Sequence, residues 1–234
     1  MIVAAEHFTW IGYFLPALNP KYYYVYSALL SGVLLVSIGF YVKRELFQLE
    51  AAVTPSPKVN LLNILEVGVE SLYGLFEGIL GHDAKKHMPL LGGIFFYIFV
   101  NNILGLIPGV HAATDHMNTN LGIAIIIFFY YNFYGFKAHG IGYLKHFLGP
   151  IWVMAPLIGA IEIIGHCVRP ITLSVRLLSN MTADHMVLSL FSDMVPWVVP
   201  VIFMAFGIFV SFVQAFVFTL LSSVYVGLAT SHEH

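Results

Sequence analysis

Charge is what this chain has least of. Ten Lys/Arg and 12 Asp/Glu in 234 residues make it 9% charged, against roughly 25% for a soluble domain. With 59% apolar and 15% aromatic residues, that deficit excludes an ordinary water-soluble fold and favours a helical membrane bundle. The basic residues form no run interleaved with aromatics and the net charge is −2, so no nucleic-acid partner is expected. A lone cysteine, Cys167, allows neither an internal disulfide nor a multi-cysteine metal site. GxSxG, HExxH and phosphate-cradling glycine loops are absent, so the chain is expected to perform no covalent chemistry and to hold no cofactor. His82 with His87, and His111 with His116, stand five apart, a poor helical spacing for a ligand pair; no metal is expected either. The N-terminus carries Glu6 and lacks a basic stretch, unlike a cleavable signal peptide.

What is abundant is long apolar runs. About 20 apolar residues cross a ~30 Å hydrocarbon core, and the runs at 22–42, 88–108 and 119–136 qualify as three spans. Two longer stretches follow, 151–191 and 196–230, each well beyond one perpendicular crossing, which predicts a strongly tilted or kinked hairpin. Between the first two spans, Thr54-Pro55-Ser56-Pro57 reads as a linker. Residues 58–80 then read as an amphipathic helix, with Glu66, Glu70 and Glu77 on one side and Leu62, Leu65, Val69, Leu72, Leu75 and Phe76 on another. It is too charged to span, and is expected to lie along the membrane face or against a partner. The fold class is therefore all-α: a single polytopic membrane domain of about five transmembrane helices and one interfacial helix.

Lys/Arg asymmetry sets the expected orientation. Lys43, Arg44, Lys58, Lys85 and Lys86 separate spans one and two, Lys137 and Lys145 follow span three, and the Val110–Met117 loop between has none. The basic loops belong in the cytoplasm, with the N-terminal segment 1–21 external and, after five crossings, the C-terminus cytoplasmic. No internal repeat is evident, against an inverted-repeat transporter.

The exception to the charge deficit is Arg176, within Ile171-Thr172-Leu173-Ser174-Val175-Arg176-Leu177-Leu178-Ser179-Asn180; no Lys or Arg follows it. A guanidinium stays protonated, and centring it in a bilayer costs roughly 2.5–3.5 kcal/mol on insertion scales. At about 100° per residue with Arg176 at zero, Arg169 falls near 20°, Glu162 and Asn180 near 40°, and His166 and Asp184 near 80°. His185, near 180°, points away. Such a stripe lines an aqueous path, faces a polar subunit, or pairs internally as a structural network of Arg169 and Arg176 with Glu162 and Asp184. Arg176 has no carboxylate one turn away, which predicts a partner from elsewhere. On the last helix Gln214 is the only strongly polar residue, among small Gly207, Ser211, Ala215 and Ser222 that permit close helix approach.

These motifs resemble a known family. Pro170 through Met181 is similar to the Pro-x-Ser/Thr-Leu-x-x-Arg-Leu-Phe/Leu-x-Asn-Met signature of subunit a of the F-type ATP synthase. Asn101-Asn102-Ile103-Leu104-Gly105-Leu106-Ile107-Pro108-Gly109, Gln214-Ala215-Phe216-Val217-Phe218, Tyr225, Asp115–Asn118 and Gly140-Ile141-Gly142 also match. The resemblance implies a stator beside a rotating ring of c subunits, with b subunits and the remaining ATP synthase subunits as further partners in a bacterial inner membrane. Two aqueous half-channels would lead to the ring. The family's essential arginine maps onto Arg176, which would draw a ring carboxylate into its ionised form and bar direct leakage. Asn180 and Gln214 match polar residues near it, and Glu162 matches an acidic channel-lining position. His185 stands where many bacterial members have Glu, usually with His where this chain has Gly207, in the manner of mitochondrial forms. Asp184, His185 and Asp115 are the candidates for the external half-channel, a histidine titrating near pH 6.5 when unperturbed.

Competing readings are a self-contained secondary ion or solute transporter using the same stripe, and a voltage sensor or scaffold. Arg169 and Arg176 lie seven apart rather than in a three-residue series, which disfavours a sensor. The choice between proton and sodium belongs to the ring and is not written in this chain.

Overall fold

The computed structural model describes residues 10, 13, 19, 22–49, 61–107, 109–110, 112–140, 142–143, 155–194 and 198–230. Most of the N-terminal segment 1–21, the Thr54–Pro57 linker, Lys58, Pro108, His111, Lys145, residues 151–154 and the centre of the final hairpin turn lie outside the described residues. Among the described residues six α-helices follow in order: α1 (Tyr23–Leu49), α2 (Leu61–Leu80), α3 (Ala84–Gly105), α4 (Met117–His139), α5 (Ala155–Met194) and α6 (Val198–Thr230). Single 3-10 turns, Gly81–Asp83 and Ala113–Asp115, precede α3 and α4, and no strand occurs among the described residues. Among the described residues five helical stretches are long and apolar enough to cross a membrane: Tyr23–Arg44, Leu62–Gly105, Met117–His139, Leu157–Phe191 and Pro200–Thr230. Helices satisfy every backbone polar group within one segment, the requirement that hydrocarbon imposes.

The Leu62–Gly105 stretch is two helices folded on each other. Gly81 turns the chain with φ +58°, a conformation that L side chains rarely adopt. Gly68 of α2 then faces the Phe96 ring of α3, 3.9 Å from where a Cβ would stand. Leu72 and Phe76 are buried against the core with Leu91, Phe95 and Ile98 of α3, while Glu66, Glu70 and Glu77 are exposed. The apolar side of α2 is thus covered by its own chain. Val69, placed on that side by sequence spacing, is instead 42% exposed.

Contacts at the helix ends show alternating directions. Lys86 at the start of α3 lies over the Tyr134 ring near the end of α4, 4.5 Å from its centroid. At the other end, Tyr24 near the start of α1 meets the His116 ring just before α4, with centroids 4.4 Å apart. Lys43, Arg44, Lys85, Lys86 and Lys137 therefore share one end of the bundle, and the Ala113–Asp115 turn caps the other.

α5 and α6 form the long antiparallel hairpin. Three pairs fix its register: Phe191 stacked on Phe203 at 4.7 Å, Asn180 hydrogen-bonded to Gln214, and Arg169 over the Tyr225 ring at 5.0 Å. Successive pairs step by eleven residues, close to three full turns, so one face of each helix makes all three contacts. α5 has 40 residues, about 60 Å of helix, roughly twice the hydrocarbon thickness. Small buried residues on α6 let its neighbours in close. A Cβ on Gly207 would lie 2.5 Å from Leu106 Cδ2, and Ser211, Ala215 and Ser222 are buried. The small residues of α6 accordingly face α6's own neighbours, while Val201, Ile202, Phe206 and Phe209 are exposed.

Polar side chains inside the bundle are tied off locally. Thr219, Ser222 and Ser223 each donate to a carbonyl of their own helix at 2.7–2.9 Å. Thr114 donates to Asn102 Oδ1 at 2.8 Å and Asn120 Nδ2 donates to the Thr114 carbonyl at 2.7 Å, pinning the Ala113–Asp115 turn between α3 and α4. Thr114→Val leaves Asn102 Oδ1 buried without that donor and should destabilise the protein by about 1–3 kcal/mol. A thermal-inactivation series on the solubilised complex measures it; an unchanged midpoint contradicts the assignment.

Candidate functional site

Arg176 sits on the exposed arc of α5 with Thr172, Val175 and Ser179, while Leu173, Ser174, Leu177 and Met181 are buried on the opposite arc. It makes no hydrogen bond or ion pair with any other described residue. The internal network considered from sequence does not form: neither Arg169 nor Arg176 pairs with Glu162 or Asp184. Arg169 instead covers the Tyr225 ring, a cation–π contact. Asn180, one turn after Arg176, is half-buried and donates through Nδ2 to Gln214 Oε1. Gln214 is 4% exposed and its Nε2 has no partner among the described residues.

The stripe inferred from helical angles separates into different surroundings. Glu162 is exposed, His166 is buried against α4, and Asp184 is half-buried without a hydrogen bond or ion pair to another described residue. Of the three candidates for the external half-channel, the fold joins two. His185 Nδ1 lies 3.3 Å from Asp115 Oδ2, and His185 Nε2 lies 3.0 Å from the Gly105 carbonyl. A carbonyl oxygen only accepts, so Nε2 carries a hydrogen. Nδ1 is then the nitrogen that faces the Asp115 carboxylate. His185 points away from Arg176, as its helical angle requires.

Gly105 makes that contact possible. A Cβ there would collide with Met181 Cε and lie 2.7 Å from the Ala112 Cβ. The end of α3, the loop before α4 and α5 converge on this one residue. Sequence reading named Asp115 and His185 separately and missed Gly105; the Asn102–Thr114–Asn120 network that seats Asp115 also escaped it. The signal was there in two buried asparagines inside an apolar span, Asn101 at 1% and Asn102 at 4% exposure.

At about 1.5 Å per residue, His185 lies about 13.5 Å along α5 from Arg176. Fold and site together define a polytopic helical membrane protein with a fixed cation at mid-helix and a titratable pair toward one end. Residues 25–227 match the family model described as ATP synthase A chain. The ATP synthase subunit a of Bdellovibrio bacteriovorus is 45% identical over 220 residues, covering 94% of this chain and 96% of its own length. The ATP synthase subunit a of Sorangium cellulosum is 41% identical over 207 residues (88% and 81%), and that of Geobacter sulfurreducens is 41% identical over 175 residues (75% and 76%). The chain belongs to the ATP synthase A chain family.

Gly105→Ala should cost about 1–3 kcal/mol through overpacking and draw the carbonyl away from His185. Adding Met181→Ala and Ala112→Gly reopens the space, so the triple variant should recover most of the lost thermal stability. A single variant as stable as wild type, or no recovery in the triple, rules out the convergence described.

Proposed function

We propose that this chain is the stator of a rotary proton channel in a bacterial inner membrane, standing beside a ring of c subunits and joined to b subunits and the rest of an ATP synthase. The observation that carries the reading is Arg176: a permanent cation on an exposed face of an otherwise apolar helix, without a counter-charge among the described residues. A site of that kind is matched by a mobile anion on another chain. A ring carboxylate arriving opposite the guanidinium is favoured in its ionised form and gives up its proton there. The same fixed charge repels a proton moving directly between the two half-channels.

The end of the bundle bearing the Ala113–Asp115 turn is the external side, and the end bearing Lys43, Arg44, Lys85, Lys86 and Lys137 is cytoplasmic. That assignment leaves the N-terminus external, the C-terminus cytoplasmic, and the Gly81 turn between α2 and α3 on the cytoplasmic side. On this reading Asp115 and His185 receive the external proton: Nδ1 binds it beside the carboxylate, then yields it toward the ring. Asn180 and Gln214 hold the α5–α6 seam next to Arg176. Glu162, exposed on the cytoplasmic half of α5, lines the way out.

Arg176→Ala should lower ATP-driven proton pumping in inverted vesicles by at least ~10²-fold, the loss typical of removing one preorganised charge-stabilising group, while the ring still co-purifies. Arg176→Lys keeps the charge but loses the planar fork and should restore only a minor part. Coupled pumping near the wild-type rate in Arg176→Ala sinks the proposal.

A further inference from the structure

At the end of the bundle away from Asp115, α3 and α4 are joined by side chains that the proton path does not use. Lys86 Nζ stands over the Tyr134 ring, 4.5 Å from its centroid, a cation–π contact. Tyr134 packs in turn against Tyr130 and stands edge-on to His87, with centroids 4.7 Å away in each case. His87 is fully buried, and its Nδ1 lies 2.9 Å from Tyr130 Oη. The ring beneath Lys86 is therefore held from behind by two groups, which fixes where the ammonium stands. Lys137 follows Tyr134 by three residues on α4, about one turn closer to the helix end.

Lys85, Lys86 and Lys137 are exposed, and none of them forms an ion pair with a described carboxylate, Asp83 in the adjoining turn included. Ammonium groups left with free donors beside a membrane suit phosphate oxygens. Deeper along α4 the surface turns apolar. Ile126, Phe129 and Phe133 are all exposed, and with Lys137 they fall within about 80° of one another around the helix. From Ile126 to Lys137 the helix rises about 16 Å, close to half of the ~30 Å hydrocarbon core, the depth of one leaflet. Tyr130 and Tyr134 border this stripe on the side where α3 supplies Lys86, amphipathic rings of the kind that gather at headgroup level. Positive charge thus caps one leaflet's depth of apolar side chain.

We propose that this end of α3 and α4 is a binding site for one phospholipid with an anionic headgroup. Lys86 and Lys137 take the phosphate, Lys85 adds to the local positive field, and an acyl chain lies along Phe133, Phe129 and Ile126. Because Lys86 is already held on the Tyr134 ring, little side-chain freedom is lost when the phosphate binds. A free phosphate ion would meet the same lysines but leave the apolar stripe uncovered; charge and stripe together select the lipid. The site requires only the membrane fold and stands apart from the stator reading. Its occupant clamps the two helix ends that Lys86 and Tyr134 already join.

The test uses the purified complex containing the full chain, stripped of loosely held lipid in detergent and titrated with phosphatidylglycerol. Native mass spectrometry counts the lipids retained. Combining Lys86→Gln with Lys137→Gln should leave one fewer phosphatidylglycerol on the complex and weaken its binding about thirtyfold, about fivefold per lysine. Phosphatidylcholine at equal concentration should not fill the vacancy in wild type. Arg44→Gln removes a charge from the same end of the bundle, on α1, and should leave the count unchanged. An unchanged count in the double variant overturns the proposal, and so does an equal loss in Arg44→Gln, which marks diffuse attraction. Displacement of the lipid by inorganic phosphate alone marks an ion site and overturns it as well. If the double variant does not assemble, wild type in vesicles holding phosphatidylglycerol with a diazirine on its acyl chain takes its place. Cross-links should fall on Ile126, Phe129 or Phe133; none at those residues overturns the proposal.

Discussion

Hydrocarbon offers no hydrogen bonds, and that one constraint organises the whole protein. Every helix closes its own backbone ladder, and hydroxyls that would be stranded fold back on carbonyls one turn away, as Thr219, Ser222 and Ser223 do. The same rule makes Arg176 exceptional, because nothing described in its own chain satisfies it. Insertion of such a charge costs roughly 2.5–3.5 kcal/mol, comparable to deleting a buried hydrogen-bond partner. Had Glu162 or Asp184 met it, the cost would be offset within the subunit and the cation would be neutralised for good. On the proposed stator reading, leaving the offset to another chain keeps the charge available each time a carboxylate comes round.

Close packing supplies the second half of the design. On the proposed reading the external proton is bound by an ordinary imidazole nitrogen, and what makes the ring directional is the partner opposite its Nε2. At His185 that partner is a backbone carbonyl, reachable only because Gly105 has no side chain. At His166 it is an amide oxygen whose orientation is imposed by a carbonyl on its own helix. Both arrangements cost no charge of their own, and both commit one ring nitrogen to a fixed acceptor.

Much of this was legible in the residues, for physical reasons that also mark where legibility ended. Span number and helix type follow from apolar run length, a local property. Arg176 stood out because its cost is independent of context. Helical angles correctly turned His185 away from Arg176, since the angle depends only on α5 itself. The same angles grouped Glu162, Arg169, His166 and Asp184 into one stripe, and the fold separates them because each meets a different neighbour: lipid or water, Tyr225, Asn132, and the α5 margin. Which helix stands opposite is set by packing across the bundle, and no period along one helix records it. Gly105 was visible only as part of a motif; its role lies in Met181, seventy-six positions away.

Gly207 shows how packing also selects the chemistry. Family members resembled by this chain commonly carry a histidine there and an acid at the position of His185. In this structure the place of a Gly207 side chain is filled by Leu106, whose Cδ2 would stand 2.5 Å from a Cβ. An imidazole on α6 would need that leucine side chain turned aside. Moving the imidazole to α5 and supplying its carboxylate from Asp115, on the loop before α4, keeps an acid–imidazole pair while leaving α3 and α6 free to close on each other.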